Sequence, residues 1–212
     1  KQMEFLILGF LTGLSLILVI GAQNIFVLEQ GLKKQYIFLV CLICSLSDLI
    51  LIFLGIFLFE FYKNLFTHKI ELIFNILLFI FLIYFVISKI RTNYDNFDIN
   101  TYKTEISLKN VIIKTLGFTY LNPHVYSDTV FFLGNFSKSF LIIQKYYFGI
   151  GASIASFLFF FFLGYLSKFS SNYLKSKKTW RIINLFIILF MSILAFYVLL
   201  DILNFKLSYF SK

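Results

Sequence analysis

Charge is scarce in this sequence. Only 14% of its 212 residues are Asp, Glu, Lys or Arg, against about 25% in a soluble domain. Hydrophobic residues make up 60% and the mean hydropathy is +0.89. A chain this apolar cannot cover itself with polar surface, so lipid must be its solvent. Cysteine is scarce too. Cys41 and Cys44 are the only two, and both sit in an apolar run, which argues against a secreted disulfide framework. Proline occurs once, as Pro123. No P-loop motif is present, which excludes ATP as a direct energy source. The first apolar stretch, from Phe5 to about Val27, is too long for a signal-peptide core, and no small-x-small site follows a short core. It reads as a retained helix.

What is present is a series of long apolar runs. A helix needs about 20 apolar residues to cross a bilayer. Six stretches qualify, at roughly 5–28, 36–59, 70–90, 111–134, 146–168 and 180–204. The expected fold class is therefore an all-α integral membrane protein. One transporter domain fills residues 1–212, with repeat 1 at 1–90, a polar linker at 91–110 and repeat 2 at 111–212. Two three-helix halves in one chain must be inverted relative to each other, because three is odd. That is the inverted-repeat plan of many secondary transporters, with the site between the repeats.

The charge that remains is basic, 19 Lys+Arg against 10 Asp+Glu. In a chain of apolar runs this reports cytoplasmic loops beside anionic lipid rather than nucleic-acid binding. Twelve of the basic residues fall in the connections after spans 1, 3 and 5, and seven on the opposite side. The positive-inside rule then puts the linker in the cytoplasm and both termini outside.

Polar residues inside the spans are the informative ones, because an acid at mid-membrane costs roughly 2.5–3.5 kcal/mol on insertion scales. Asp48 is nearly central in span 2, with Ser45 and Cys41 at successive turns on its face. Span 4 carries Asn122, Pro123, His124 and Asp128. Pro123 lacks an amide hydrogen and its ring collides with the Thr119 carbonyl, so the helix must kink or break. His124 and Asp128 are four apart and share a face, where they can hold a cation, pass a proton, or satisfy each other and pin the kink. Span 1 ends in Gly21-Ala22-Gln23-Asn24. Its two amides can bind a carboxylate or carbonyl, or cap a broken helix. They lie toward the cytoplasmic end of an unbroken span. Asn184 in span 6 is a further candidate. The small residues, Gly9 and Gly13 in span 1 and the run from Gly149 to Ser156 in span 5, read as sites of close helix packing.

These segments resemble the lysine exporter family, in its basic amino-acid branch. The resemblance rests on Gly21 to Lys34 at the end of helix 1 and Cys44-Ser45-Leu46-Ser47-Asp48 in the second helix. It continues in Leu121-Asn122-Pro123-His124-Val125-Tyr126 with Asp128-Thr129 in the fourth, and Arg181 to Leu185 at the start of the last. It implies export of arginine and lysine, with Gln23, Asn24, Asp48, Asn122, Pro123, His124, Asp128 and Asn184 as substrate-binding and proton-coupling residues. No cofactor, metal or enzymatic activity is implied. Neutral amino-acid exporters of the superfamily carry Asn-Pro-Lys where this chain has Asn122-Pro123-His124 and the extra Asp128, which favours cationic substrates. Ala22 departs from the proline that many relatives have there. The expected partners are arginine, lysine, protons and membrane lipid, with a homodimer as an option and no nucleic acid. Three rivals compete with basic amino-acid export: export of another amino-acid class, a non-transporting membrane scaffold or assembly factor, against which the intramembrane acids and the proline-broken helix argue, and thiol–disulfide carriage by Cys41 and Cys44. A carrier of the last kind should place a cysteine in each half, and residues 45–212 contain none.

Overall fold

Lipid offers no partner to a backbone amide or carbonyl, so each must be satisfied within the chain. The computed structural model describes residues 2–18, 21–62, 68–91, 107–171 and 177–210, and these contain helices and no strand. In chain order the helices are α1 (Gln2–Ile17), α2 (Ala22–Lys33), α3 (Ile37–Tyr62), α4 (His68–Ile90), α5 (Leu108–Tyr120), α6 (Pro123–Tyr126), α7 (Leu133–Phe136), α8 (Ile142–Ser170) and α9 (Lys177–Phe210). A π-helical turn, Ser127–Phe132, joins α6 to α7.

Three helices are long and apolar enough to cross a membrane: Ile37–Phe59, Ile142–Ser170 and Arg181–Leu200. The bent pair α1 and α2 makes a fourth such unit, and α4 contains a shorter apolar stretch, Asn75–Ile87. Their patterning is inside-out. On α8 the residues facing away from the bundle are Ile150, Ile154, Leu158 and Phe162, while Gly151, Ala152, Ala155 and Ser156 are buried. Large apolar side chains meet lipid, and small ones admit neighbouring helices. The chain is a multi-pass helical membrane protein. Most of the 91–110 linker, with Asp95, Asp98, Lys103 and Glu105, lies outside the described residues.

Span 1 is not the single helix that its apolar run predicts. It breaks between Ile17 and Ala22, and the two halves differ in direction by 83°. Gly21 precedes α2 in an extended conformation, φ −118° and ψ −179°. A break strands carbonyls at the end of the first half. The Asn24 Nδ2 amide reaches back across it and donates to the Ile17 carbonyl at 3.0 Å. Ala22 stands where a proline would force the break, yet the break forms without one.

Span 4 breaks as Pro123 requires. α5 ends at Tyr120, Leu121 and Asn122 are not helical, and the helix restarts at Pro123. Proline at the first helical position gives up an amide that would be unpaired there anyway. The Tyr126 hydroxyl donates to the Tyr120 carbonyl at 2.9 Å, so a neighbouring side chain satisfies a backbone group at the break. The π turn follows at once, with the Leu133 amide on the Asp128 carbonyl. Such turns insert an extra residue and re-aim the side chains around it.

Glycine sets which helices touch. α1 packs on α8, α3 on α8, α4 on α9, and α3 also on the π turn and α7. A Cβ on Gly9 would collide with the Phe148 carbonyl, and one on Gly151 with the Leu6 carbonyl. A Cβ on Gly13 would lie 2.8 Å from the Ala152 Cα. The α1–α8 contact is therefore backbone against backbone, and the small residues of spans 1 and 5 serve packing. Gly55 plays the same part where α3 meets the π turn, since a Cβ there would sit 2.6 Å from the Val130 Cα. At the other side, the Phe118 ring of α5 stands 5.0 Å from both Phe26 of α2 and Phe85 of α4. That aromatic cluster anchors the short helix α2.

Candidate functional site

The two broken helices meet at a cavity of about 410 Å³, within the range of roughly 300–1,000 Å³ typical of small-molecule sites. The break in span 1 contributes Gly21, Ala22, Gln23 and Asn24; the break in span 4 contributes Asn122 and Val125, and the π turn Asp128 and Thr129. Asp48 enters from α3. Five of the eight residues singled out by sequence thus share one cavity: Gln23, Asn24, Asp48, Asn122 and Asp128. They reach it because both helices are interrupted. In an unbroken span 1 the two amides would lie well away from Asp48; the 83° bend brings them beside it.

The other three do not join them. Asn184 is buried in α9 outside the cavity wall, with its Oδ1 unpartnered among the described residues. Pro123 begins α6 and His124 follows it, but their side chains lie outside the described residues. The pairing of His124 with Asp128 lies outside them as well.

Each polar group has a distinct setting. Asp48 is 4% exposed and accepts a hydrogen bond from the Ser156 hydroxyl, 2.7 Å from its Oδ2. That bond links α3 to α8, across the two halves of the sequence. Gln23 Nε2 is buried beside the Cys44 thiol, with no hydrogen-bond partner among the described residues. Asn24 straps the broken helix through Ile17. The rest of the wall is largely apolar, including Leu16, Ile17, Leu78, Leu82 and Phe160. Water is thin against such walls, so the few polar groups act in a low dielectric where charge pairing is strong.

Sequence reasoning missed Ser156 and Tyr126 as working residues. Ser156 was hidden in a stretch of glycine, alanine and serine whose plain meaning is packing; only the fold shows that one hydroxyl faces an acid on another helix. Tyr126 satisfies backbone, and the signal for it was the proline three residues earlier. Both cysteines are free and buried, with Cys41 Sγ donating to the Phe160 carbonyl at 3.2 Å.

A helical membrane bundle with a central cavity, bordered by two interrupted helices and by two intramembrane carboxylates, has the makings of a transporter. The chain belongs to the LysE type translocator family, which matches residues 14–202. It is therefore a transporter and not an enzyme. It is 32% identical to proteins named arginine exporter protein ArgO from Salmonella enteritidis PT4 and Salmonella typhimurium LT2, over 194 residues that cover 89% of this chain and 90% of each relative. The protein of that name from Pectobacterium carotovorum is 32% identical over 185 residues, covering 84% of this chain and 88% of the relative. No solved structure matches the chain.

The Ser156–Asp48 bond yields a direct test. Removing a hydrogen bond to a charged group costs about 1.5–3 kcal/mol, so Ser156→Ala is expected to slow arginine exchange by roughly tenfold or more. In an Asp48→Asn background the same substitution should add little, because its effect runs through the carboxylate. Arginine counterflow rates of the two single variants and the double variant, at matched membrane abundance, measure this, since Asp48→Asn keeps exchange. Fully additive losses would separate Ser156 from Asp48.

Proposed function

We propose that the protein is a secondary active exporter of basic amino acids, arginine and lysine, across the bacterial inner membrane, driven by inward proton movement. The observation that carries this reading is the meeting of Asp48 and Asp128 in one largely apolar cavity. Two acids in such a place favour a cationic guest over a neutral one. The names of the relatives point the same way. In this mechanism the cationic side chain meets Asp128 or Asp48, while Gln23 and Asn122 face its backbone end. His124 remains assigned to coupling and Pro123 to the shape of the break.

The energetics demand coupling. Moving a monocation out against an inside-negative potential costs about 2.3 kcal/mol per 100 mV. A passive pore would accumulate arginine rather than expel it. Protonation of a cavity acid from outside would discharge the substrate, and rocking of the two halves would reset the site.

Six spans in two inverted repeats form the frame of that motion. The packing pattern supports this. Exchange span 1 with 4, 2 with 5, and 3 with 6. The contact of span 1 with span 5 then becomes that of span 4 with span 2, and the 2–5 and 3–6 contacts map onto themselves. All of these contacts occur, and the two spans related as first members, 1 and 4, are the two that break. The cavity is lined by residues of one chain.

Counterflow in proteoliposomes tests the function. Vesicles loaded with unlabelled arginine should take up labelled arginine, and lysine should compete. Uptake driven only by a neutral amino acid would move the protein to another substrate class, and exchange of thiols and disulfides in place of amino acids would favour the Cys41–Cys44 reading.

The orientation follows from the basic residues. Residues 91–110 are assigned to the cytoplasm and both termini to the periplasm. With Cys41 and Cys44 replaced, a cysteine at Ser211 should react with an impermeant reagent in intact cells, and one at Asn100 should not. The reverse pattern would invert the topology.

A further inference from the structure

We infer that the start of α2 is a dedicated carboxylate subsite, so that the exporter recognises the amino-acid end of its substrate as well as its cationic side chain. The inference rests on the reading of the cavity as a basic amino-acid site and goes beyond it, because acids in a cavity account only for the cation.

The first observation is the exposed helix start. α2 has twelve residues, and its first backbone bond runs from the Ile25 amide to the Gly21 carbonyl. The amides of Ala22 and Gln23 precede that ladder and carry no helix partner. Gly21, Ala22 and Gln23 all border the cavity. The second observation is independent. Gln23 is 7% exposed, and its Nε2 donor is buried without a partner among the described residues. A buried donor left unmade is costly in a finished protein, and it makes sense as half of a site whose other half is the guest. The Cys44 thiol lies beside the same side chain.

The third observation is the vacancy at the cap. Helices are usually capped by Ser, Thr, Asp, Asn or Gly, and all but Gly supply a side-chain oxygen that takes the second or third amide. Here the cap is Gly21, with no side-chain bond to the helix. A Cβ at Gly21 would meet nothing within 4 Å. The chain leaves empty the place that a capping oxygen normally fills, and that place opens on the cavity. A substrate carboxylate there would take the positive end of the helix and the Gln23 donor together. Asn24 is no part of this subsite, because its amide nitrogen is committed to Ile17.

The vacancy supplies the test. Gly21→Asp puts a carboxylate on the empty cap. The backbone there is ordinary extended chain and the space is open, so the variant should fold. Uptake of labelled L-arginine and of labelled agmatine, which is arginine without its carboxylate, is compared in proteoliposomes holding the full chain. Wild type should prefer arginine by about ten- to a hundredfold, the loss expected when a charge-assisted contact is missing. Gly21→Asp should reverse the order: arginine uptake falls at least about tenfold because the new side chain occupies its carboxylate site, while agmatine, which leaves that site empty, is carried in preference. Gln23→Met, which keeps the length and removes the donor, should shrink the preference by about tenfold. Equal uptake of arginine and agmatine by wild type would overturn the subsite. So would a Gly21→Asp protein that handles arginine as wild type does, or one that loses both substrates in parallel at normal abundance. A wild type that takes up neither compound would remove the proposed function itself, and this subsite with it.

Discussion

Asp128→Asn abolishes arginine export while the protein still inserts and folds at its normal abundance. The substitution keeps the shape of the side chain and removes its charge. Asp128 sits in the π turn, bordering the cavity, at the point where span 4 resumes after its break. The close packing of that turn on α3 runs through backbone at Gly55, which the substitution leaves in place. The carboxylate's contribution to a cationic guest is large. Removing one partner of a desolvated charge pair costs about 2–5 kcal/mol, so transport should fall by at least about thirtyfold. Export assayed in cells alongside membrane abundance checks this. Normal export at normal abundance would remove Asp128 from the site.

Asp48→Asn has a different signature. The variant still exchanges arginine across the membrane but no longer concentrates it on the far side. Asp48 is the deepest acid of the cavity, 4% exposed, and its carboxylate bridges α3 to α8 through Ser156. A proton arriving there changes both the charge facing the substrate and the hydrogen bond joining the two halves. Asparagine keeps the shape of the side chain, but it cannot take up or release a proton. Exchange needs only binding and rocking of the loaded carrier; uphill export also needs the proton. Counterflow near the wild-type rate with loss of gradient-driven pumping is the expected pair of results. A variant that still concentrates arginine under a pH gradient would assign the proton to another group.

The fold was legible where a single rule governs. Runs of apolar residues marked the helices, Pro123 marked the break in span 4, and glycines marked the close contacts. The break in span 1 was not legible from the run itself, because residues 5–28 carry no charge and no proline, and Ala22 carries no obligation to break. In the structure Asn24 marks it, since its amide straps the interrupted helix at Ile17. The site was legible as a set of residue types out of place in lipid, and five of them share the cavity. Asn184 was equally out of place and lies elsewhere in the bundle, since burial of a polar side chain says that it is held in protein, not that it faces a guest. Ser156 was invisible because serine is common at helix contacts, and its partner lies 108 residues away.

The central claim is export of a cation coupled to inward proton flow. It is tested most directly by uphill arginine movement in sodium-free proteoliposomes under an imposed pH gradient. The proposed mechanism predicts that arginine is concentrated in the compartment from which protons depart, that the concentration collapses with a protonophore, and that an inward sodium gradient does not restore it. Accumulation that survives collapse of the proton gradient while a sodium gradient remains would contradict it.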